Sequence, residues 1–200
     1  VRYLSTLPRR RSAAGPLIVD VGSANSVIVA GLHGETGYTI RTDLGVGHHF
    51  ASALEAVTPQ RVIEWLPFDA TPDALWDYAH NKALRPGTIP TTPEELQIEQ
   101  GLARAIARAL VANSRARWGV DAGGALPSFD PIIGAGAILT EAQTPGASAM
   151  LLLDALQPEG VTELQIDRSN LLSAAGVIAY LKPLITVQIL ETGGLLPLGT

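Results

Sequence analysis

The chain has no cysteine. That removes disulfides, thiolate metal sites and cysteine nucleophiles together, and it suits a reducing cytoplasm. Charge is also sparse: charged residues make up 16% of 200 residues, against 46% hydrophobic, a balance that excludes disorder driven by low hydrophobicity and high charge. The formal net charge of -5 gives no electrostatic reason to expect a nucleic-acid partner. One basic run exists, Arg9-Arg10-Arg11, and a solvated linker is its expected role. No apolar run reaches membrane-spanning length, because Gly, Pro or charge interrupts each one. No basic leader followed by an apolar stretch is present either. The expectation is a cytoplasmic chain with neither a nucleic-acid nor a membrane partner. A Gly-x-Ser-x-Gly elbow is missing, which leaves a serine hydrolase without support.

What is present is enough apolar sequence for a real core. The segment Leu17-Ile18-Val19-Asp20-Val21-Gly22-Ser23-Ala24-Asn25-Ser26-Val27-Ile28-Val29-Ala30 joins two β-branched runs by small polar residues and predicts a tight hairpin. Asp20 stands at the mouth of its turn, where small residues let a phosphate approach backbone amides. Taken alone, the stretch is better read as an ordinary hairpin with a polar turn. Tyr38 to Thr42 alternates as a third strand, completing an antiparallel meander.

Asp43-Leu44-Gly45-Val46-Gly47-His48-His49 follows, with glycines ahead of a helix over roughly 50–57. Unpaired amides and the positive end of a helix dipole make such a junction an anion cradle. Arg61 to Trp65 predicts a turn or two of helix, and Asp73 to Leu84 a longer one with Pro72 in its first turn. Thr92-Pro93-Glu94-Glu95 is a capping box opening a helix to about Arg117, stopped by Gly119. Glu99 and the arginines of this helix could touch a nucleotide, but a solvated face is the commoner explanation and the expectation. Pro131-Ile132-Ile133 predicts a short buried strand, and Gly134-Ala135-Gly136-Ala137 a bend of very small residues. Thr144-Pro145 caps another helix, Val161 to Asp167 alternates as a strand, and Asn170 to Leu181 predicts a helix. Leu184 to Leu190 is again strand-like.

His48 and His49 with Asp43 carry the atoms of a metal site, but adjacent histidines at a helix start point apart and no further ligand falls at metal spacing. Surface or capping histidines are the expectation. Trp65, Trp76 and Trp118 are expected to pack.

Taken in order, Asp20-Val21-Gly22-Ser23-Ala24, Thr42-Asp43-Leu44-Gly45-Val46-Gly47, Leu84-Arg85-Pro86-Gly87-Thr88-Ile89-Pro90, Ile133-Gly134-Ala135-Gly136-Ala137-Ile138-Leu139 and Leu152 to Thr162 resemble the second lobe of the actin, sugar-kinase and heat-shock ATPase superfamily. More narrowly, they resemble the accessory ATPase family associated with glutamate mutase, MutL or GlmL, which is unrelated to the mismatch-repair protein. The resemblance implies an α/β, ribonuclease-H-like lobe whose mixed sheet opens with the three-stranded meander and carries helices packed on it. It implies ATP between two lobes, the other being an N-terminal lobe of the same polypeptide, and a cobalamin-dependent mutase as partner. Asp20 would hold Mg²⁺, Gly22 and Ser23 would approach the terminal phosphates, Gly45 and Gly47 would lie near the nucleotide, and Gly134, Ala135 and Gly136 would form the adenosine loop.

The family pattern after the phosphate-loop Asp runs Gly-Gly-Ala-Thr-Thr-Asp, whereas Gly22 is followed here by Ser23-Ala24-Asn25-Ser26-Val27. Hydroxyls of Ser23 and Ser26 would then stand in as donors, and a degenerate lobe serving as a scaffold or interaction module is the alternative. The expected organisation is a linker or tail over 1–16, the lobe over 17–182 with a helical insertion about 58–128, and a truncated following strand or domain from 183–200.

Overall fold

The computed structural model describes residues 1, 4, 14–32, 34–121 and 124–200. Most of the expected linker, with Arg9-Arg10-Arg11, lies outside the described residues, as does His33. The fold is mixed α/β: a six-stranded sheet of order β3-β2-β1-β4-β5-β6 with helices packed on it.

Alternation in β1 (Leu17–Val21) buries Leu17, Val19 and Val21 on one face and turns Ile18 and Asp20 to the other, the two-residue period of a strand. β2 (Ser26–Leu32) returns antiparallel with Ile28 and Ala30 buried on that same side, and β3 (Glu35–Arg41) completes the meander at the sheet edge. β4 (Ile132–Ala135) and β5 (Leu164–Ile166) run parallel to β1, and the final strand β6 (Leu196–Gly199) pairs antiparallel to β5. The register sets Asp20 opposite Val27 on β2 and beside Ala135 on β4.

Helices α1 (Phe50–Val57), α2 (Pro59–Ile63), α3 (Pro72–Leu84) and α4 (Pro93–Ser114) fill the chain between β3 and β4. The capping box at Thr92 forms as its sequence predicts: Glu95 N–H donates to the Thr92 hydroxyl at 3.2 Å, and Thr92 N–H to the Glu95 carboxylate at 3.3 Å. Leu102, Ile106 and Leu110 of α4 are fully buried. They meet Leu17, Val19 and Phe50 in a common apolar core, which holds the sheet and helices together by removing that surface from water. Short α5 (Ala137–Thr140) and then α6 (Pro145–Leu156) follow β4, and Leu151 and Leu152 extend the same core.

Three local expectations change. Leu184 to Leu190, strand-like in composition, folds mainly as α8 (Pro183–Ile189) behind α7 (Leu172–Leu181). Pro183 opens α8, and the buried Thr186 hydroxyl donates to the Ala175 carbonyl at 3.0 Å. Tertiary packing thus overrides β-branched composition. The strand comes later, at β6. Val161 to Asp167 shortens to β5, because Glu163 N–H is taken by the Asp130 carboxylate at 2.9 Å. Gly134 and Ala135 fall inside β4, so the bend begins only at Gly136.

Candidate functional site

The β1–β2 turn is drawn tight by a hydrogen bond from Gly22 N–H to the Asn25 carbonyl at 3.0 Å. The loop after β3 lies directly on this turn: Val46 N–H donates to Gly22 O and Gly47 N–H to Ser23 O, both at 3.0 Å. Glycine is required at both loop positions. A Cβ on Gly45 would stand 2.3 Å from Ser23 O, and one on Gly47 would stand 2.1 Å from Ser23 Oγ. Gly45 and Gly47 therefore clamp the loop to the turn, a packing role that the sequence reading did not assign them. The β4–α5 junction closes from the other side, with Gly136 at φ +90° and a Cβ there 2.1 Å from Val21 O and 3.0 Å from an Asp20 carboxylate oxygen. Gly134 lies against the core, its open side filled by Leu152.

The rim at the end of β1 thus gathers Asp20, Gly22, Ser23, Gly45, Gly47 and Gly136, and it separates two hollows. On the helical side a cleft of about 630 Å³ is lined by Ser23 and Gly47, by the 86–93 loop, and by Ala137, Ile138 and Gln143. On the opposite face a smaller cavity of about 260 Å³ holds Asp20 and Ala135 under the start of α7, together with Asp167. Burial pushes the Asp20 carboxyl above the ordinary range, and the neighbouring Asp167 charge adds to the shift. Asp167 itself accepts the N–H groups of Leu171 and Leu172, each at 2.8 Å, at the entry to α7. Its sequence signal was an Asp directly after a strand, and nothing local tied it to Asp20.

Sequence reasoning also missed what lies at the floor of the larger cleft. Glu99, expected on a solvated face, is buried, with Lys82 Nζ 2.5 Å from its carboxylate and the Tyr78 hydroxyl 2.8 Å away. Lys82 also donates to Thr88 O at 2.5 Å, tying the 86–93 loop to the helices. Burial and the Glu99 carboxylate drive the Tyr78 hydroxyl far above its usual range. The α4 arginines are likewise not free: Arg104 pairs with Asp154 at 2.9 Å, and Arg108 lies 4.7 Å from the centre of the Trp65 ring. Ser26 is buried, its hydroxyl donating to Leu44 O at 2.9 Å, which removes it as a donor toward any ligand.

Of the paired histidines, His49 is held by its ring against Ala24 O, and His48 Nδ1 lies 2.9 Å from Ser23 Oγ. Among the described residues no group of three or more His, Cys, Asp or Glu side chains has the arrangement of a metal site. No helix among the described residues is long and apolar enough to cross a membrane.

The family model described as MutL protein matches residues 3–193. The chain belongs to the MutL family. This is the glutamate mutase accessory family, and the match takes in every strand but β6 and the whole rim. No curated protein and no solved structure matches the chain.

Proposed function

We propose that this chain is the nucleotide-binding lobe of a two-lobed accessory ATPase that serves a cobalamin-dependent mutase. The observation that carries the reading is the convergence of the β1–β2 turn and the β4–α5 junction on one rim, in a member of the MutL family. Strand order β3-β2-β1-β4-β5, antiparallel within the first three strands and parallel beyond, suits a ribonuclease-H-like lobe. The helices over 58–128 would be its insertion, and an N-terminal lobe of the same polypeptide its partner across the cleft.

The residues fit Mg²⁺ and a nucleotide whose terminal phosphates cross the rim, because Asp20 opens into the cavity on the other face of the sheet from the cleft that Ser23 lines. Asp20 is a desolvated carboxylate beside a second one, with its charged form disfavoured and no hydrogen-bond donor among the described residues set against it. A divalent cation would relieve that. Ser23 Oγ and the turn amides would face the terminal phosphates, and Gly136, with no room for a Cβ beside Val21 O, would hold the adenosine loop close against the end of β1. Bound ATP would supply a transferable terminal phosphoryl group, and its turnover would alter lobe closure and so remodel the mutase.

The test is calorimetry on the full-length protein. Asp20→Ala is expected to abolish Mg²⁺-dependent ATP binding, and unchanged affinity overturns the assignment. A non-hydrolysing scaffold is the second reading. It is favoured by Ser26 being committed to Leu44 O and by Val27 standing opposite Asp20, where the family pattern has an acid. Phosphate release no faster than blank, with no rise in melting temperature on adding nucleotide, would select it.

A further inference from the structure

The contact between Ser23 and His48 contributes little to the stability of the fold. Both residues are exposed, they are 25 positions apart in sequence, and a pair held in one geometry at the surface loses rotamer freedom for little stability. Yet the arrangement is specific. Ser23 Oγ lies 2.9 Å from His48 Nδ1 and also accepts the His48 backbone N–H at 3.3 Å. With the ring protonated on Nε2, the hydroxyl donates to Nδ1 and keeps one lone pair without a partner, on a residue that lines the cleft. Gly47 makes this possible, since any Cβ there would fall on Ser23 Oγ.

The neighbouring groups are otherwise engaged. The His49 ring is taken by Ala24 O, Asp43 is paired with Arg41 at 2.5 Å, and the Ser26 hydroxyl is buried on Leu44 O. Ser23 and His48 are left as a hydroxyl with an adjacent base, the arrangement that activates an oxygen nucleophile.

We infer that Ser23 is a phosphoryl acceptor, its hydroxyl taking the terminal phosphoryl group of a nucleoside triphosphate in the cleft with His48 as general base. This rests on the nucleotide reading above and adds a covalent modification site to it. As the Ser23 Oγ–phosphorus bond forms, the hydroxyl proton passes to His48 Nδ1. The bond from the terminal phosphorus to its bridging oxygen breaks, and the nucleoside diphosphate leaves with that electron pair. No redox partner is needed. The phosphoserine adds about -1.5 to -2 charge at the turn, directly on the rim that carries Asp20.

The experiment uses full-length protein, Mg²⁺ and ATP labelled on the terminal phosphate, with phosphopeptide mapping by mass spectrometry. Binding of a non-hydrolysable ATP analogue is measured in parallel by calorimetry, and circular dichroism checks that variants fold. Label is expected on the peptide carrying Ser23, with a rate constant independent of protein concentration, and Ser23→Ala should remove it. His48→Ala should slow labelling on the order of 100-fold, and added imidazole should restore part of the rate, a rescue that a merely structural role would not show. Analogue binding without label on Ser23 overturns this inference and leaves the nucleotide reading standing. Wild-type labelling in His48→Ala overturns the role of His48. No analogue binding overturns both readings.

Discussion

The Lys82 ammonium group lies 2.5 Å from the Glu99 carboxylate, with both side chains almost wholly buried at the floor of the cleft. Two charges taken out of water in this way are held by each other, by the Tyr78 hydroxyl and by Thr88 O. Removing one strands the other. Lys82→Met is expected to cost about 3–5 kcal/mol of unfolding free energy, measured by urea denaturation. The double variant Lys82→Met, Glu99→Leu should regain a large part of that loss, because it leaves no unpaired charge. A double variant as unstable as the single one would mean that packing, not charge, sets the cost.

Asp20 ties stability to pH. Its carboxyl is raised by burial first and by Asp167 second, so the folded state disfavours the ionised form. The penalty is fully present above the folded-state pKa and is relieved as pH falls through it toward the unfolded value. Asp20→Asn should therefore raise the melting temperature of the ligand-free protein at neutral pH. That advantage over the wild type should shrink on acidification. A constant difference across the range would place the effect elsewhere.

Two glycines of the rim and cleft should behave oppositely. Gly136 has φ +90° and no room for a Cβ beside Val21 O. Gly136→Ala is thus expected to destabilise by about 2–3 kcal/mol or more. Gly87, in the cleft loop, has nothing within 4 Å of its Cβ position. Gly87→Ala should change stability by less than about 1 kcal/mol, toward stabilisation, through loss of unfolded-chain entropy. Thermal melts of the two variants side by side are the check.

The start of α4 supplies a smaller effect. Thr92 and Glu95 satisfy each other's backbone N–H groups, and Thr92→Ala should cost about 1 kcal/mol. Because Glu95 Oε2 also accepts from Thr91 N–H at 2.6 Å, Glu95→Ala should loosen the loop wall of the cleft as well. Faster amide exchange over 86–92 would show it.

The sequence alone determined the elements whose signals are local. Alternation in β1 and β2, the capping box at Thr92, Pro at the start of α3 and α6, and the left-handed Gly119 after α4 all follow from backbone sterics and short-range hydrogen bonds. The ordered glycine phrases, with Asp20 at the head of the first, also sufficed to suggest the family that the whole-chain match establishes. What only the tertiary structure decided depends on partners remote in sequence. Gly134 reads like a loop glycine until Leu152 fills its open side, and Glu99 reads like a solvated charge until Lys82 arrives from another helix. Ser23 and His48 carry no signal apart and become a hydrogen-bonded pair only across 25 residues of sequence. Leu184 to Leu190 carries strand composition, yet it folds mainly as helix because α7 offers it an apolar face and Ala175 O accepts from Thr186. In each case the deciding energy is a contact made across the fold, and no window along the chain contains it.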